Sequence, residues 1–136
     1  MNQIIPYDWE NLPTTRSLQR EIENLPITAE AKLSLERLSK VTVRAGEQIV
    51  EVGRRILAFA FELIRQFPNL TLAIAAALTI NALLISVPLL GPLLQPLYGP
   101  VILAAGVGAG ALAELIEGDM RVRMDAVITE FEAIFA

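Results

Sequence analysis

The sequence offers few side chains that could carry out catalysis. It contains no histidine and no cysteine, which removes the commonest general base, the commonest transition-metal ligand and all thiolate chemistry. A Ser–Lys pair is the remaining route to an activated nucleophile. The two lysines, Lys32 and Lys40, lie in a segment typical of the polar surface of a helix. We therefore expect no enzyme, no catalytic residue and no cofactor.

Two other patterns could suggest a ligand site. Glu114, Glu117 and Asp119 are close in sequence and could collect a cation, but we favour a solvated helix end. The glycine-rich run from Gly106 to Gly110 lacks the lysine and the preceding strand of a phosphate-binding loop. A net charge of −4 argues against a nucleic-acid partner, because phosphate binding requires clustered basic residues. We expect no metal site and no nucleic acid.

A long uncharged stretch dominates the chain. The 48 residues from Gln66 to Ala113 include no Asp, Glu, Lys or Arg. Within them, Leu70–Val87 is an apolar run of 18 residues, just long enough for a bilayer core of about 30 Å. A second crossing is expected from about Pro96 to Ala113. The sequence therefore predicts an all-α integral membrane protein with a two-span helical hairpin at 68–117. The alternative is a soluble all-α domain with 66–113 as its core.

Prolines recur every four residues from Pro88 to Pro100, from the end of the first predicted span into the second. Each proline removes a backbone donor and clashes with the carbonyl four residues earlier, so we expect a turn over 88–100 and not a straight helix. Part of that turn must lie at membrane depth, where irregular backbone is tolerated only if it is buried in protein or lines water. The candidate pore or turn residues are Asn81, Ser86, Pro88, Pro92, Gln95, Pro96 and Pro100.

Asn81 is a polar residue near the middle of the first predicted span. It could face a pore together with Thr79 or Ser86, or it could connect two helices by a hydrogen bond, which we favour. Gln95 has the same two alternatives. Interhelical polar contacts in membranes average about 0.6 kcal/mol, so we expect such a contact to contribute specificity more than stability.

Small residues on both predicted spans could form a helix-packing surface. Gly106 and Gly110 make a GxxxG pair, and Ala73 and Ala77 are four residues apart on the first span. Small side chains allow helix backbones to approach closely in lipid. The pattern favours close packing between the two spans or between copies of the chain.

Three further segments flank the predicted hairpin. Residues 28–67 are predicted to form one long amphipathic helix capped by Thr28, because apolar residues recur at steps of three and four and could form a coiled-coil seam. Residues 118–136 are predicted to form a second, shorter amphipathic helix that packs on the long one or lies on the membrane surface, and we favour packing. Residues 1–27 are predicted to form an arm with a short helix capped by Thr14 or Thr15. The arm either docks a partner or folds back on its own domain, and we favour the latter.

No charged residue lies between the two predicted spans. The charged residues that flank the uncharged stretch are Arg54, Arg55, Arg65, Glu114, Glu117, Arg121 and Arg123. The positive-inside rule then places both termini in the cytoplasm. We expect a homo-oligomer in the lipid bilayer that forms a pore or permeabilises the membrane. The alternatives are a structural scaffold or coat protein, and an anchoring adaptor that recruits a soluble partner through residues 1–27. The architecture resembles small membrane effectors such as holin-type lysis proteins, and no motif carries that resemblance.

Overall fold

The structure, a computed structural model, describes residues 13–68, 70–106 and 118–135. These residues are mostly helical, in agreement with the predicted all-α class. The elements in chain order are α1 (Thr15–Glu23), α2 (Ala29–Ser39), β1 (Val43–Ala45), β2 (Gln48–Val50), α3 (Val52–Gln66), α4 (Leu72–Ser86), a 3₁₀ turn (Pro88–Leu90), α5 (Gly91–Ala105) and α6 (Asp119–Ile134).

Threonine residues cap the N-termini of three of the described helices. Thr14, Thr28 and Thr71 each accept a hydrogen bond from the backbone N–H three residues later, at 3.0, 3.1 and 3.2 Å. Such caps satisfy one of the N–H groups that a helix leaves unpaired at its start. The predicted cap at Thr28 is confirmed. The cap of α4 is Thr71.

The prediction of one long helix over residues 28–67 is wrong. An antiparallel hairpin of β1 and β2 separates α2 from α3, with Val43 opposite Val50. Its turn contains Gly46 at a φ of 65°, a left-handed conformation that glycine adopts without steric cost. The β-branched residues before and after this turn favour strands over helix. A continuous coiled-coil seam is therefore absent from this segment.

α4 is the central helix of the fold. It packs against α3, α5 and α6, and it contains no charged residue and only three polar ones, Thr79, Asn81 and Ser86. Its buried residues are Leu72, Ala73, Ala75, Ala76, Ala77, Leu78, Thr79, Ile80 and Leu83. Helices that are hydrophobic all round are found in the core of a protein or in a membrane.

The segment predicted as an arm contributes to this core in its described part. Leu18 and Ile22 of α1 are fully buried, and α1 packs against α2 and α3. Residues 13–27 thus fold back on their own domain. Residues 1–12, proposed as a docking element, lie outside the described residues.

The proline repeat is helical, which corrects the predicted irregular turn over 88–100. The 3₁₀ turn begins at Pro88, and α5 continues to Ala105 with Pro96 and Pro100 inside it. Prolines four residues apart lie on one side of a helix, and here that side is the exposed one. Pro92 lies in the first turn of α5, where an N–H would have no helical acceptor. The backbone irregularity is therefore limited to one exposed face.

The predicted C-terminal amphipathic helix is present as α6. Its buried residues are Met120, Met124, Val127 and Phe131, which recur at steps of three and four. We predicted that it would pack on a long N-terminal helix. Its main contact is instead with α4, because the apolar side of α4 that α3 and α5 leave uncovered accepts the apolar face of α6.

Among the described residues, one helix is long and apolar enough to cross a membrane. It is the continuous segment Pro88–Ala105 of 18 residues, which includes the 3₁₀ turn. α4 is shorter, at 15 residues, so the predicted pair of spans is not confirmed.

Candidate membrane-contacting face and interhelical groove

One side of the segment Pro88–Ala105 faces away from the rest of the protein. We call its exposed residues the outward face: Pro88, Leu89, Pro92, Leu93, Gln95, Pro96, Gly99 and Leu103. Gln95 is the one polar side chain among them. Leu103 is 79% exposed and Leu89 is 60% exposed. The outward face is therefore a continuous apolar strip along the helix.

The degree of burial distinguishes this segment from an ordinary core helix. Only 22% of Pro88–Ala105 is buried, whereas most of the residues of α4 are buried. Its few buried residues, Leu90, Leu94, Leu97 and Val101, lie on the side that packs against α4 and α2. Large exposed apolar patches mark binding or membrane-contacting surfaces. The outward face is a large exposed apolar patch of this kind, and it is therefore the candidate surface.

Asn81 connects α4 to α5. The hydroxyl of Tyr98 donates a hydrogen bond to Oδ1 of Asn81 at 3.4 Å. Thr79, the other polar residue considered for a pore, is fully buried, and its hydroxyl donates to the carbonyl of Ala75 at 2.8 Å. The contact between Asn81 and Tyr98 is the kind of interhelical tie that the sequence favoured for Asn81.

A groove lies between the C-terminal end of α4 and the first turns of α6. Its volume is about 230 Å³, and it is lined by Asn81, Ala82, Ile85, Ser86, Arg121, Met124, Asp125 and Ile128. The structure thus brings together three residues singled out in the sequence, which are Asn81, Ser86 and Arg121. Ile85 lies at this groove and is 74% exposed, so the groove adjoins an apolar surface.

The remaining candidate residues of the proline repeat do not reach this groove. Pro88, Pro92, Gln95 and Pro96 are exposed, and Pro100 is half-buried. They lie along the segment Pro88–Ala105, whereas the groove is formed by α4 and α6. In this form of the protein the proline repeat is an outer surface.

The flanking arginines before the uncharged stretch have different surroundings. Arg54 forms an ion pair with Glu51 at 2.6 Å, and its Nε donates to the carbonyl of Pro13 at 2.9 Å. Arg65 is exposed and pairs with Glu62 at 3.3 Å. The Arg54 contacts attach the start of α1 to α3, whereas the exposed pair of Arg65 contributes little, as is typical of surface ion pairs.

Arg55 and Glu130 bring a basic and an acidic group together between α3 and α6. Burial raises the pKa of the Glu130 carboxyl, and the positive charge of Arg55 opposes that rise. Burial also lowers the pKa of Arg55, which Glu130 and then Glu51 oppose. Oε2 of Glu130 is buried and accepts no hydrogen bond within the described part of the chain. The carboxylate form of Glu130 is therefore poorly stabilised where α6 is docked.

The predicted helix-packing residues are only partly within the described residues. Ala73 and Ala77 are buried on α4. Gly106 is exposed at the C-terminal end of α5 with a φ of 75°, and a β-carbon there would meet no atom within 4 Å. Gly110 lies outside the described residues, so packing through the GxxxG pair stays a prediction.

The charged residues predicted to flank the C-terminal side of the uncharged stretch are also only partly within the described residues. Glu114 and Glu117 lie outside the described residues. Asp119 is exposed in the first turn of α6, and Arg123 is half-exposed. No group of three potential metal ligands occurs in the parts of the chain that the structure describes.

Sequence reasoning did not identify two residues of this region. Tyr98 is the partner of Asn81, and its position in the proline repeat concealed its helical spacing. Glu130 is an acidic residue of a predicted amphipathic helix, where charged side chains are expected on the solvent side. Its sequence position gives no signal of burial, since its approach to Arg55 depends on how α6 packs beside α3. No protein-family model matches the chain, and neither a curated protein nor a solved structure is significantly similar to it.

Proposed function

We propose that this chain is a membrane-inserting helical protein that acts by helix packing and not by catalysis. The segment Pro88–Ala105 is the element that enters the bilayer. The observation that carries the proposal is the outward face, an apolar strip without charged residues on a helix that is only 22% buried. Exposure of that area to water is costly at about 25 cal/mol per Å², and the acyl chains of a bilayer would remove the cost.

The dimensions of the segment suit this role. Eighteen residues at 1.5 Å per residue give about 27 Å, close to the hydrocarbon core of about 30 Å. A helix interior supplies its own backbone hydrogen bonds. Pro96 and Pro100 have no backbone N–H, so the carbonyls four residues before them lose their helical donor. Only these carbonyls need another partner, which costs less than an unpaired donor and acceptor together.

We further propose that inserted copies associate and permeabilise the membrane, with α4 as a second crossing so that both termini are on the cytoplasmic side. Two features support association. The outward face combines glycine and proline with leucine, so its relief allows close approach of a second helix. Among the described residues, the other exposed large apolar side chains are Leu33, Ile49, Ile85 and Val122, and they lie on four different elements, α2, β2, α4 and α6.

Vesicle flotation tests insertion directly. The purified protein should float with liposomes, and a variant with Leu89→Lys, Leu93→Lys and Leu103→Lys should remain at the bottom of the gradient. A matched control carries Leu33→Lys, Ile49→Lys and Val122→Lys, which change three exposed apolar residues elsewhere. Equal flotation of wild type and the outward-face variant would refute the proposed role of this face.

Release of an encapsulated dye tests the permeabilising step. We expect release by wild type, with a steeper than linear dependence on protein concentration because several copies must meet. Flotation without release at any concentration would contradict permeabilisation and leave a scaffolding or anchoring role.

A further inference from the structure

The position of α6 conflicts with a membrane-spanning position of α5. The first turns of α6 line the groove at the C-terminal end of α4, beside Asn81 and Ser86. Val87 alone separates α4 from the segment that begins at Pro88. The docked start of α6 therefore lies at the Pro88 end of α5.

The other end of α5 is remote from this site. The connecting turn at Val87–Leu90 lies between Asn81 and Tyr98, and the two side chains form a hydrogen bond. The chain therefore reverses at this turn, and α4 and α5 run antiparallel. Ala105 therefore lies towards the start of α4. If α5 crosses the bilayer, Pro88 and Ala105 are on opposite sides, about 27 Å apart.

The thirteen residues 106–118 connect Ala105 to α6, and they cannot return through the bilayer without penalty. As a helix they would extend about 20 Å, which is too short to cross. Fully extended they would reach about 40 Å, but their backbone N–H and C=O groups would then be unsatisfied in hydrocarbon. They also contain Glu114 and Glu117, and carboxylates are costly at that depth.

We infer that α6 is a removable cover and that this structure is the form of the protein before insertion. The inference rests on the proposed function, because it concerns the order of events by which α5 enters the bilayer. α6 must leave α4 before α5 can span. The linker is too short to join an α6 docked on α4 to an α5 that spans the bilayer, so these two positions exclude each other. No such linker restricts the contact of α2 with α5.

Removal of the cover would also change α4. Met120, Met124, Val127 and Phe131 of α6 pack into the core, so their departure exposes an uncharged side of α4. That side includes Ala82 and Ile85. Lipid can then contact α4, which together with α5 would give the two-span hairpin that the sequence predicts.

A reversible lock between α4 and α6 tests the inference. The chain contains no natural cysteine, so Ser86→Cys and Asp125→Cys on opposite sides of the groove can be joined by a bis-maleimide with a reducible disulfide. The matched control joins Ser17→Cys to Glu21→Cys, two exposed positions one turn apart on α1, and leaves α6 free. An added Gly99→Trp with Trp9→Phe reports depth, through quenching by lipids brominated near the bilayer centre. A β-carbon at position 99 meets no atom within 4 Å.

We expect the locked protein to float with vesicles through its outward face while the indole at position 99 escapes deep quenching and dye release falls at least tenfold. Reduction of the linker should restore both signals, and the control linker should leave them unchanged. Equal deep quenching of the locked and reduced forms would overturn the inference while supporting insertion. Failure of the reduced form to float or to be quenched would instead overturn the proposed function.

Discussion

The hydroxyl of Tyr98 and the amide oxygen of Asn81 form a hydrogen bond at 3.4 Å that joins α5 to α4. It connects α5, which belongs to the exposed segment Pro88–Ala105, to α4, most of whose residues are buried. Asn81 also lines the groove beneath α6. One polar residue thus contacts both elements whose relative movement the proposed insertion requires.

Loss of this hydrogen bond should weaken the α4–α5 pair by a small amount. We expect Tyr98→Phe to lower the free energy of unfolding by about 0.5 kcal/mol, because the bond is long and a net hydrogen bond contributes about 0.5–1.5 kcal/mol. Denaturant titration in mild detergent measures the change. A double-mutant cycle with Asn81→Ala isolates the pair, and a coupling energy of zero would show that the contact is not energetically significant.

Gly53→Ala should be far more damaging than its size suggests. A β-carbon at Gly53 would overlap the backbone carbonyl of Leu38, so α3 must move away from the end of α2. We expect a loss of at least about 2 kcal/mol, at the upper end of overpacking effects, seen in thermal or denaturant unfolding. Gly99→Ala is the matched control, since its β-carbon meets open space and alanine favours helix by about 1 kcal/mol. Equal stability of the two variants would contradict this close approach.

The sequence predicts the starts of helices better than their extent. Thr14 and Thr28 cap helices as their types suggest, because a cap depends on a side chain and backbone only three residues apart. The hairpin at β1 and β2 was missed because Val41, Ala45, Ile49 and Val52 fit helical steps of three and four, although Ile49 is exposed. Periodicity alone does not separate these cases when a turn falls within the pattern.

The predicted spans show a different limit of sequence reasoning. The absence of charge from α4 and α5 indicates that both avoid water, but it does not specify whether lipid or protein replaces the water. The partners that bury α4 lie on its neighbours α3 and α5 and on α6, which begins only at Asp119. The proline spacing predicts a break in the helix. α5 continues because Pro92 and Pro96 lie on the same exposed side, so the irregular backbone is limited to that side.

The docked form of α6 should become more stable on mild acidification. Burial raises the pKa of Glu130 in the folded protein. A raised folded-state pKa means that the contribution to stability is fully present below the unfolded-state pKa and is lost as pH rises through the folded-state value. The free energy of unfolding should therefore increase as pH falls from neutral towards the ordinary pKa of glutamate. Arg55 remains charged throughout this range.

Glu130→Gln isolates this pH effect from other carboxylates. The variant should be more stable than wild type at neutral pH, because the amide needs no desolvated charge, and it should lose the part of the pH dependence that Glu130 supplies. Glu132→Gln is the control, since Glu132 is exposed on the same helix. Thermal unfolding between neutral pH and about pH 5 measures both. An unchanged difference between Glu130→Gln and wild type across this range would contradict the raised pKa.

Pro92 and Pro96, two of the three prolines of α5, allow a test of whether the prolines strain this helix. Pro96 lies inside α5, where alanine is favoured by up to about 3 kcal/mol because it restores a backbone donor. Pro92 lies in the first turn, where that donor has no helical acceptor. Both substitutions to alanine loosen the unfolded chain to a similar extent, so the difference between them reports on the folded helix. We expect Pro96→Ala to be the more stable variant in denaturant titrations, and equal stabilities would place the irregular backbone elsewhere than at Pro96.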